Sequence, residues 1–197
     1  MKKKLSLTVT KLSCKRNSID IFNCLFFKVL EGQLLIIKGK NGKGKTTLLH
    51  CLAGILPYEG SIKWQQKFDK IGYVGHKFGL KENETVFDFI RFWKEIYDST
   101  VSIEQAVKFF SIAKLLFSPI AFLSYGQKKK LTFIRLYLLN SKVWLLDEPF
   151  SGLDEQNRKL IYNMIKSHIN KKGMVILSTH EKGEVLNIKN KKELIIA

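Results

Sequence analysis

The sequence predicts a single α/β domain: a parallel sheet whose buried strands alternate with helices, interrupted once by a helical insertion. Three observations carry this. Four short runs rich in Ile, Val and Leu, QLLIIKG (33–39), KIGYVG (70–75), KVWLLDE (142–148) and MVILSTH (174–180), are bounded by Gly or polar residues and read as strands buried on both faces. Helical patterns lie between them, as a parallel sheet requires. From Lys81 to Asn140 the pattern is helical throughout, as in ETVFDFIRFWKEIY and SIEQAVKFFSIAKLLF. With 197 residues, 45% of them hydrophobic, the chain can bury one real core.

The N-terminal MKKKLSLTVT alternates apolar and polar residues after a basic start. It lacks a signal-peptide core and reads as a first strand, so the protein is expected to stay where it is made or to follow an import signal already removed. Gly44 to Ala53 puts Leu48, Leu49 and Leu52 on one helical face, and Asp154 to His168 does the same with Leu160, Ile161, Met164 and Ile165. Phe and Trp dominate the apolar face of the insertion; they read as core, with any surplus marking a docking face. No apolar run approaches the roughly 18 to 20 residues that span a bilayer. No repeat, low-complexity tract or Pro/Ser-rich linker divides the chain.

Cys14, Cys24 and Cys51 form an odd set without C-x-x-C spacing. That argues against a disulfide framework or zinc site and for a reducing compartment, where they read as small buried apolar side chains. The formal charge of +17 permits attraction to anionic lipid, nucleotide or nucleic acid. Yet the basic residues are nearly all Lys, with only Arg16, Arg91, Arg135 and Arg158 as arginines, and Ile and Asn abound. The balance therefore reads first as the bias of an AT-rich genome, since phosphate and base recognition usually recruits Arg.

Four motifs carry chemistry. GKNGKGKTT (39–47) satisfies G-x-x-x-x-G-K-[ST] between a buried strand and a helix. Its glycines Gly39, Gly42 and Gly44 let the backbone of Lys40, Asn41 and Lys43 curl so that N–H groups point at phosphates, helped by the positive end of the helix that Thr47 continues. Lys45 should bridge β- and γ-phosphates and Thr46 should ligate Mg²⁺. KVWLLDEPFSGLD delivers Asp147 and Glu148 to the C-terminal end of a buried strand, where ligands bind in such sheets. Asp147 would hold Mg²⁺ through water, and Glu148 would orient and polarise an attacking water. In LSYGQKKK, Ser124 and Gln127 form a capping box, and Gly126 allows a phosphate to approach the helix end. A second phosphate-facing helix end makes sense if it closes on the nucleotide of another subunit. His180 ends the last buried strand at the same sheet edge, within reach of a γ-phosphate. His50 and His168 sit in helical patterns and read as structural or solvated.

In this order the motifs resemble those of the nucleotide-binding domain of ATP-binding cassette (ABC) transporters, over essentially the whole chain. The resemblance implies a P-loop NTPase (RecA-like) parallel-sheet core with an antiparallel β edge and an inserted α-helical subdomain. Residues 1–197 would form a single ABC ATPase domain, with 1–80 and 141–197 as the nucleotide-binding core and 81–140 as the helical signature subdomain. It implies ATP and Mg²⁺, and a head-to-tail homodimer in which Ser124, Gly126 and Gln127 of one chain, with Asp154 of the SGLD segment, face the nucleotide of the other. Three positions depart from the family pattern. Tyr125 replaces the second glycine of LSGGQ. Arg16 stands where the family has an adenine-stacking aromatic, though a guanidinium can stack on a ring. His76 replaces the Q-loop glutamine that reaches towards Mg²⁺ and the water. A neutral His accepts one hydrogen bond there and a charged one none, so coupling should weaken at mildly acid pH.

The VGH Q-loop, the short chain, GYVGHKFGLKENETVFDFIRFW and KVWLLDEPFSGLDEQNRKLI are similar to the CcmA family, the ATP-binding subunits of the haem exporter of cytochrome c maturation. Membership implies a peripheral subunit on the cytoplasmic face of a bacterial inner membrane, or the matrix face in mitochondria. It would bind multispanning membrane subunits (CcmB/CcmC-like) and use ATP hydrolysis in haem delivery for c-type cytochromes, with no specific nucleic acid as partner. The alternatives are the ATPase of another small ABC exporter and a nucleic-acid or ribosome-associated ABC ATPase, whose relatives usually carry two cassettes in one chain. Intact Lys45, Asp147, Glu148 and His180 count against a non-catalytic module.

Overall fold

Two kinds of strand give two sheets. The computed structural model describes residues 4–65, 70–180 and 188–196. The long strands β1 (Ser6–Arg16) and β2 (Ile19–Leu30) and the shorter β4 (Glu59–Trp64) pair antiparallel in the order β2-β1-β4. The short strands β3 (Leu34–Lys38), β5 (Ile71–Val74), β6 (Val143–Asp147), β7 (Met174–Ser178) and β8 (Lys191–Ile195) form an all-parallel sheet, ordered β5-β6-β7-β3-β8. The predicted α/β architecture with an antiparallel edge is therefore present.

Period-2 alternation divides the core. Leu34, Ile36, Trp144, Leu146, Val175 and Leu177 serve one face of the parallel sheet; Leu35, Ile37, Val143, Leu145, Met174 and Ile176 serve the other. Helix α1 (Lys45–Leu52) covers the second face, where Leu48, Leu49 and Leu52 join Leu7, Val9 and Leu12 of the antiparallel sheet. Helices α2 (Val86–Ile96), α3 (Ile103–Phe110), α4 (Tyr125–Leu139) and α5 (Glu155–Asn170) contribute to the cluster on the first face. Each fully buried Leu or Ile contributes about 1.5–3 kcal/mol, so polar chemistry is confined to strand ends. Because the strands run parallel, their C-terminal ends share one edge.

Several expectations change. The insertion is not helical throughout. Ser111 ends α3 in the left-handed conformation, short 3-10 turns occupy Ala113–Leu115 and Ile120–Phe122, and Thr85, Ser102 and Ser124 cap three separate helices. Strand β5 is an edge strand, so Ile71 and Tyr73 are only half covered rather than buried. Cys14 and Cys51 are buried, but Cys24 is exposed, with a left-handed φ of 54° where the β1–β2 register breaks. Strands β2, β4 and β8 lie outside the four apolar runs; β8 exposes Lys191, Lys192 and Glu193 and has no run to betray it. Among the described residues no helix is long and apolar enough to cross a membrane.

Candidate functional site

The chain leaves β3 and turns through residues 39–44 into α1. Gly42 (φ 80°) and Gly44 (φ 91°) take left-handed backbone, and a Cβ at Gly44 would also run into Ile21. The turn delivers Lys45 buried, its ammonium donating to the carbonyls of Gly39 (2.8 Å) and Lys40 (3.2 Å). α1 has no side-chain N-cap, the arrangement in which a helix end offers N–H groups and the positive end of its dipole to an anion.

Strand β6 brings Asp147 beside Ser178, the last residue of β7. Ser178 Oγ donates to Asp147 Oδ1 (2.5 Å) and accepts from the Glu148 N–H (3.0 Å), while Thr46 Oγ1 donates to Asp147 Oδ2 (2.7 Å). Glu148 itself is buried, with a left-handed φ of 48°. Its Oε1 lies 2.8 Å from His180 Nε2, and His180 Nδ1 lies 3.3 Å from Lys45 Nζ. An ammonium can only donate, so Nδ1 is the acceptor; Glu148 Oε1, though close to Nε2, is buried without an aligned hydrogen-bond donor. Burial pushes the Glu148 carboxyl above the usual glutamate range, against the opposing pull of His180 and Lys45. A carboxylate with raised proton affinity is suited to general-base work near neutral pH.

A cavity of about 620 Å³ gathers Asn41, Gly42 and residues 44–47 with Asp147, Glu148, His76 and His180; Arg16, Ile21 and Ser151 complete its wall. Arg16 brings a planar cation and Ile21 an apolar side chain, a pairing that suits an aromatic base. Thr46 and Asp147 supply a hydroxyl and a carboxylate, the hard oxygen donors that Mg²⁺ accepts when phosphate and water provide the remainder.

Other predicted site residues lie outside that wall. Gly39 and Lys40 lend carbonyls to Lys45, and the Lys43 N–H bonds the Lys40 carbonyl (3.3 Å). The capping box expected of Ser124 and Gln127 is formed, at 3.3 and 2.9 Å, and Gly126 follows in the first turn of α4. The Asp154 carboxylate caps α5 through the backbone and side-chain N–H groups of Asn157 (2.8 and 2.9 Å). Within one chain these side chains hold helix ends. Of the helical histidines, His50 bonds the Tyr73 hydroxyl at 2.9 Å, and His168 stacks on Trp144. Sequence reasoning missed Ser178; its signal is a small hydroxyl ending a buried strand, which gains meaning only once that strand is known to neighbour β6.

The chain matches the ABC transporter family over residues 22–151. The cytochrome c biogenesis ATP-binding export protein CcmA of Vibrio vulnificus (strain YJ016) is 35% identical over 188 residues, covering 89% of this chain and 92% of that protein. Its counterpart from Rickettsia typhi (strain ATCC VR-144 / Wilmington) is 36% identical over 178 residues, covering 87% and 88%. Among solved structures, the ADP conformation of an ATP-binding cassette of an ABC transporter superposes with a TM-score of 0.79 over 98% of this chain and 88% of that one; at 19% identity the likeness is one of fold.

Proposed function

The chain belongs to the ABC transporter family of ATP-binding domains, in the branch of the CcmA export proteins, and from that premise we propose that it powers haem delivery for c-type cytochrome biogenesis. It is the ATPase subunit of an exporter, hydrolysing ATP to ADP and phosphate in a step coupled to transport. One observation carries the mechanism: Lys45, Thr46, Asp147, Glu148 and His180 converge on one cavity at the C-terminal edge of the parallel sheet.

ATP phosphates occupy the 39–47 loop, and the Lys45 ammonium exchanges the carbonyls of Gly39 and Lys40 for phosphate oxygens. Thr46 and Asp147 would hold Mg²⁺, which neutralises charge on those oxygens when bound. Glu148 orients the attacking water and accepts its proton, and His180 turns its Nε2–H towards the γ-phosphate. His76, on the same wall, takes the place of the family glutamine, and Arg16 stacks on the base. Ser124, Gly126 and Gln127, with Asp154, close the site of a second copy, so loss of the γ-phosphate releases the dimer. The segment 81–140 carries the motion to multispanning membrane subunits. Its exposed Phe117 (75%), Phe122 (83%) and Ile96 (59%) support a docking face there. The subunit then lies peripherally on the cytoplasmic face of a bacterial membrane or the matrix face of a mitochondrial one.

Glu148→Gln tests the chemistry. It is expected to lower kcat by about 10²-fold or more and to hold an ATP-bound dimer in size-exclusion chromatography. A variant that stays monomeric with ATP and hydrolyses it normally removes Glu148 from its role. The substrate is tested by complementation: haem staining of c-type cytochromes should return when the wild-type gene, but not the Glu148→Gln gene, enters a strain lacking its own CcmA. Normal covalent haem attachment without any CcmA activity would refute the haem assignment while leaving the ATPase intact.

A further inference from the structure

Lys129 is the middle residue of a three-lysine run, yet only 2% of it is exposed. Lysine is almost never fully buried without partners for its ammonium. Its Nζ donates to the carbonyl of Glu148 (2.6 Å) and to that of Ser151 (2.8 Å), and lies 5.9 Å from the Tyr125 ring centre. The Glu148 backbone is thus gripped from two elements: Ser178 of β7 on its N–H, Lys129 of α4 on its carbonyl. A left-handed glutamate costs about 1–3 kcal/mol and persists only where its surroundings over-determine it; these bonds supply the determination.

Tyr125 lies one turn earlier, on the same face of α4. A Cβ on Gly152 (φ 70°) would collide with its ring, and the ring meets Phe78, just beyond His76, at 5.0 Å between centroids. The bulky residue at the second signature position therefore lies on this chain's own 148–152 loop. Two side chains, Tyr125 and Lys129, key α4 to the segment that carries Glu148.

We propose that Lys129 is a positioning residue which couples the N-terminal end of α4 to the aim of Glu148. When Ser124 at that end engages the nucleotide of a second chain, the displacement of α4 reaches the Glu148 carbonyl through the Lys129 ammonium. Each chain thereby links the two ATP sites of the dimer. The inference rests on the reading that Glu148 orients the water and that Ser124 faces a partner's nucleotide.

The experiment compares wild type, Lys129→Met, Lys129→Gln and Glu148→Gln for kcat, KM, the Hill coefficient in ATP, calorimetric ATP affinity and thermal melting. Lys129→Met should lower kcat about tenfold or more, keep the ATP Kd within about twofold, and bring the Hill coefficient towards one. Lys129→Gln retains a donor without the charge and should fall between Met and wild type in kcat. Wild-type kcat in Lys129→Met overturns the proposal, as does a loss of ATP affinity in step with kcat. If Lys129→Met does not melt cooperatively, Lys129→Gln decides: an intermediate kcat with unchanged Kd supports the proposal and a wild-type kcat sinks it. Glu148→Gln separates the two levels. If it still hydrolyses ATP, the reading of Glu148 fails; if it is inactive while Lys129→Met is normal, only the coupling fails.

Discussion

Strand β6 buries polar or titratable groups at both ends, and the two ends are built differently. At the C-terminal end, Thr46 and Ser178 bond the Asp147 carboxylate and His180 lies 2.8 Å from Glu148 Oε1, side-chain contacts that a ligand could replace, while Ser178 and Lys129 fix the Glu148 backbone. At the N-terminal end, His168 lies flat on Trp144, with ring centroids 3.7 Å apart and an interplanar angle of 7°, and Nε2 donates to the Lys142 carbonyl at 3.1 Å. Gly173 is required there, because any Cβ would enter the His168 ring. Burial pushes His168 down to about 4 from its ordinary 6.5, and Trp144 Nε1 is buried without a hydrogen-bond partner. Packing locks one end in a single neutral state, whereas the other is assembled from exchangeable bonds. A buried polar group marks function when its partners can leave, and structure when they cannot.

The largest effect should come from breaking the exchangeable end. Lys45→Met removes the cation from the phosphate loop and is expected to lower kcat/KM for ATP by about 10²-fold or more. Melting without nucleotide should hardly move, since the lost bonds go to the loop's own Gly39 and Lys40 carbonyls and to His180 on the cavity wall. Steady-state kinetics and a thermal scan check both halves. His168→Ala should do the reverse. It opens a gap over Trp144 and costs about 2 kcal/mol or more in denaturant unfolding, while kcat per folded molecule remains that of wild type. A kcat loss comparable to that of Lys45→Met would erase the contrast between the ends.

How much of this was legible follows from the same contrast. The phosphate loop and the Asp147–Glu148 pair were readable because their geometry is local: glycines at fixed spacing, a strand leading in, a helix leading out. The capping box of Ser124 and Gln127 was local too. What escaped was decided by neighbours distant in sequence. Ser178 acquires its role only because β7 lies beside β6, an order that motif succession does not specify. Lys129 reads as one solvated lysine among three until α4 is packed against the 148–152 loop. Tyr125 looks like a misfit in the signature until Gly152 is seen to make room for its ring. Cys24 was expected inside because β2 was not recognised, and an unrecognised strand cannot show its bulge.

The smallest effect is the most discriminating, because it titrates the locked end alone. The unfolded chain protonates His168 near pH 6.5, whereas the fold resists until about 4, chiefly through burial. Between those values the unfolded state binds more protons, so stability rises with pH in this window: it is full above 6.5 and lost as pH falls through 4. The whole shift corresponds to about 3 kcal/mol, and partial solvent contact of the ring reduces the observable part to about 1–2 kcal/mol. Carboxylates elsewhere titrate over the same range, so the informative quantity is the difference between wild type and His168→Phe in urea unfolding at several pH values. Phe keeps the stack on Trp144 and loses the bond to Lys142, so wild type should lead near pH 7 and lose that lead towards pH 4. A gap that stays constant with pH would mean that the His168 proton is not excluded by packing, and the distinction between the two ends of β6 would then rest on Asp147 and Glu148 alone.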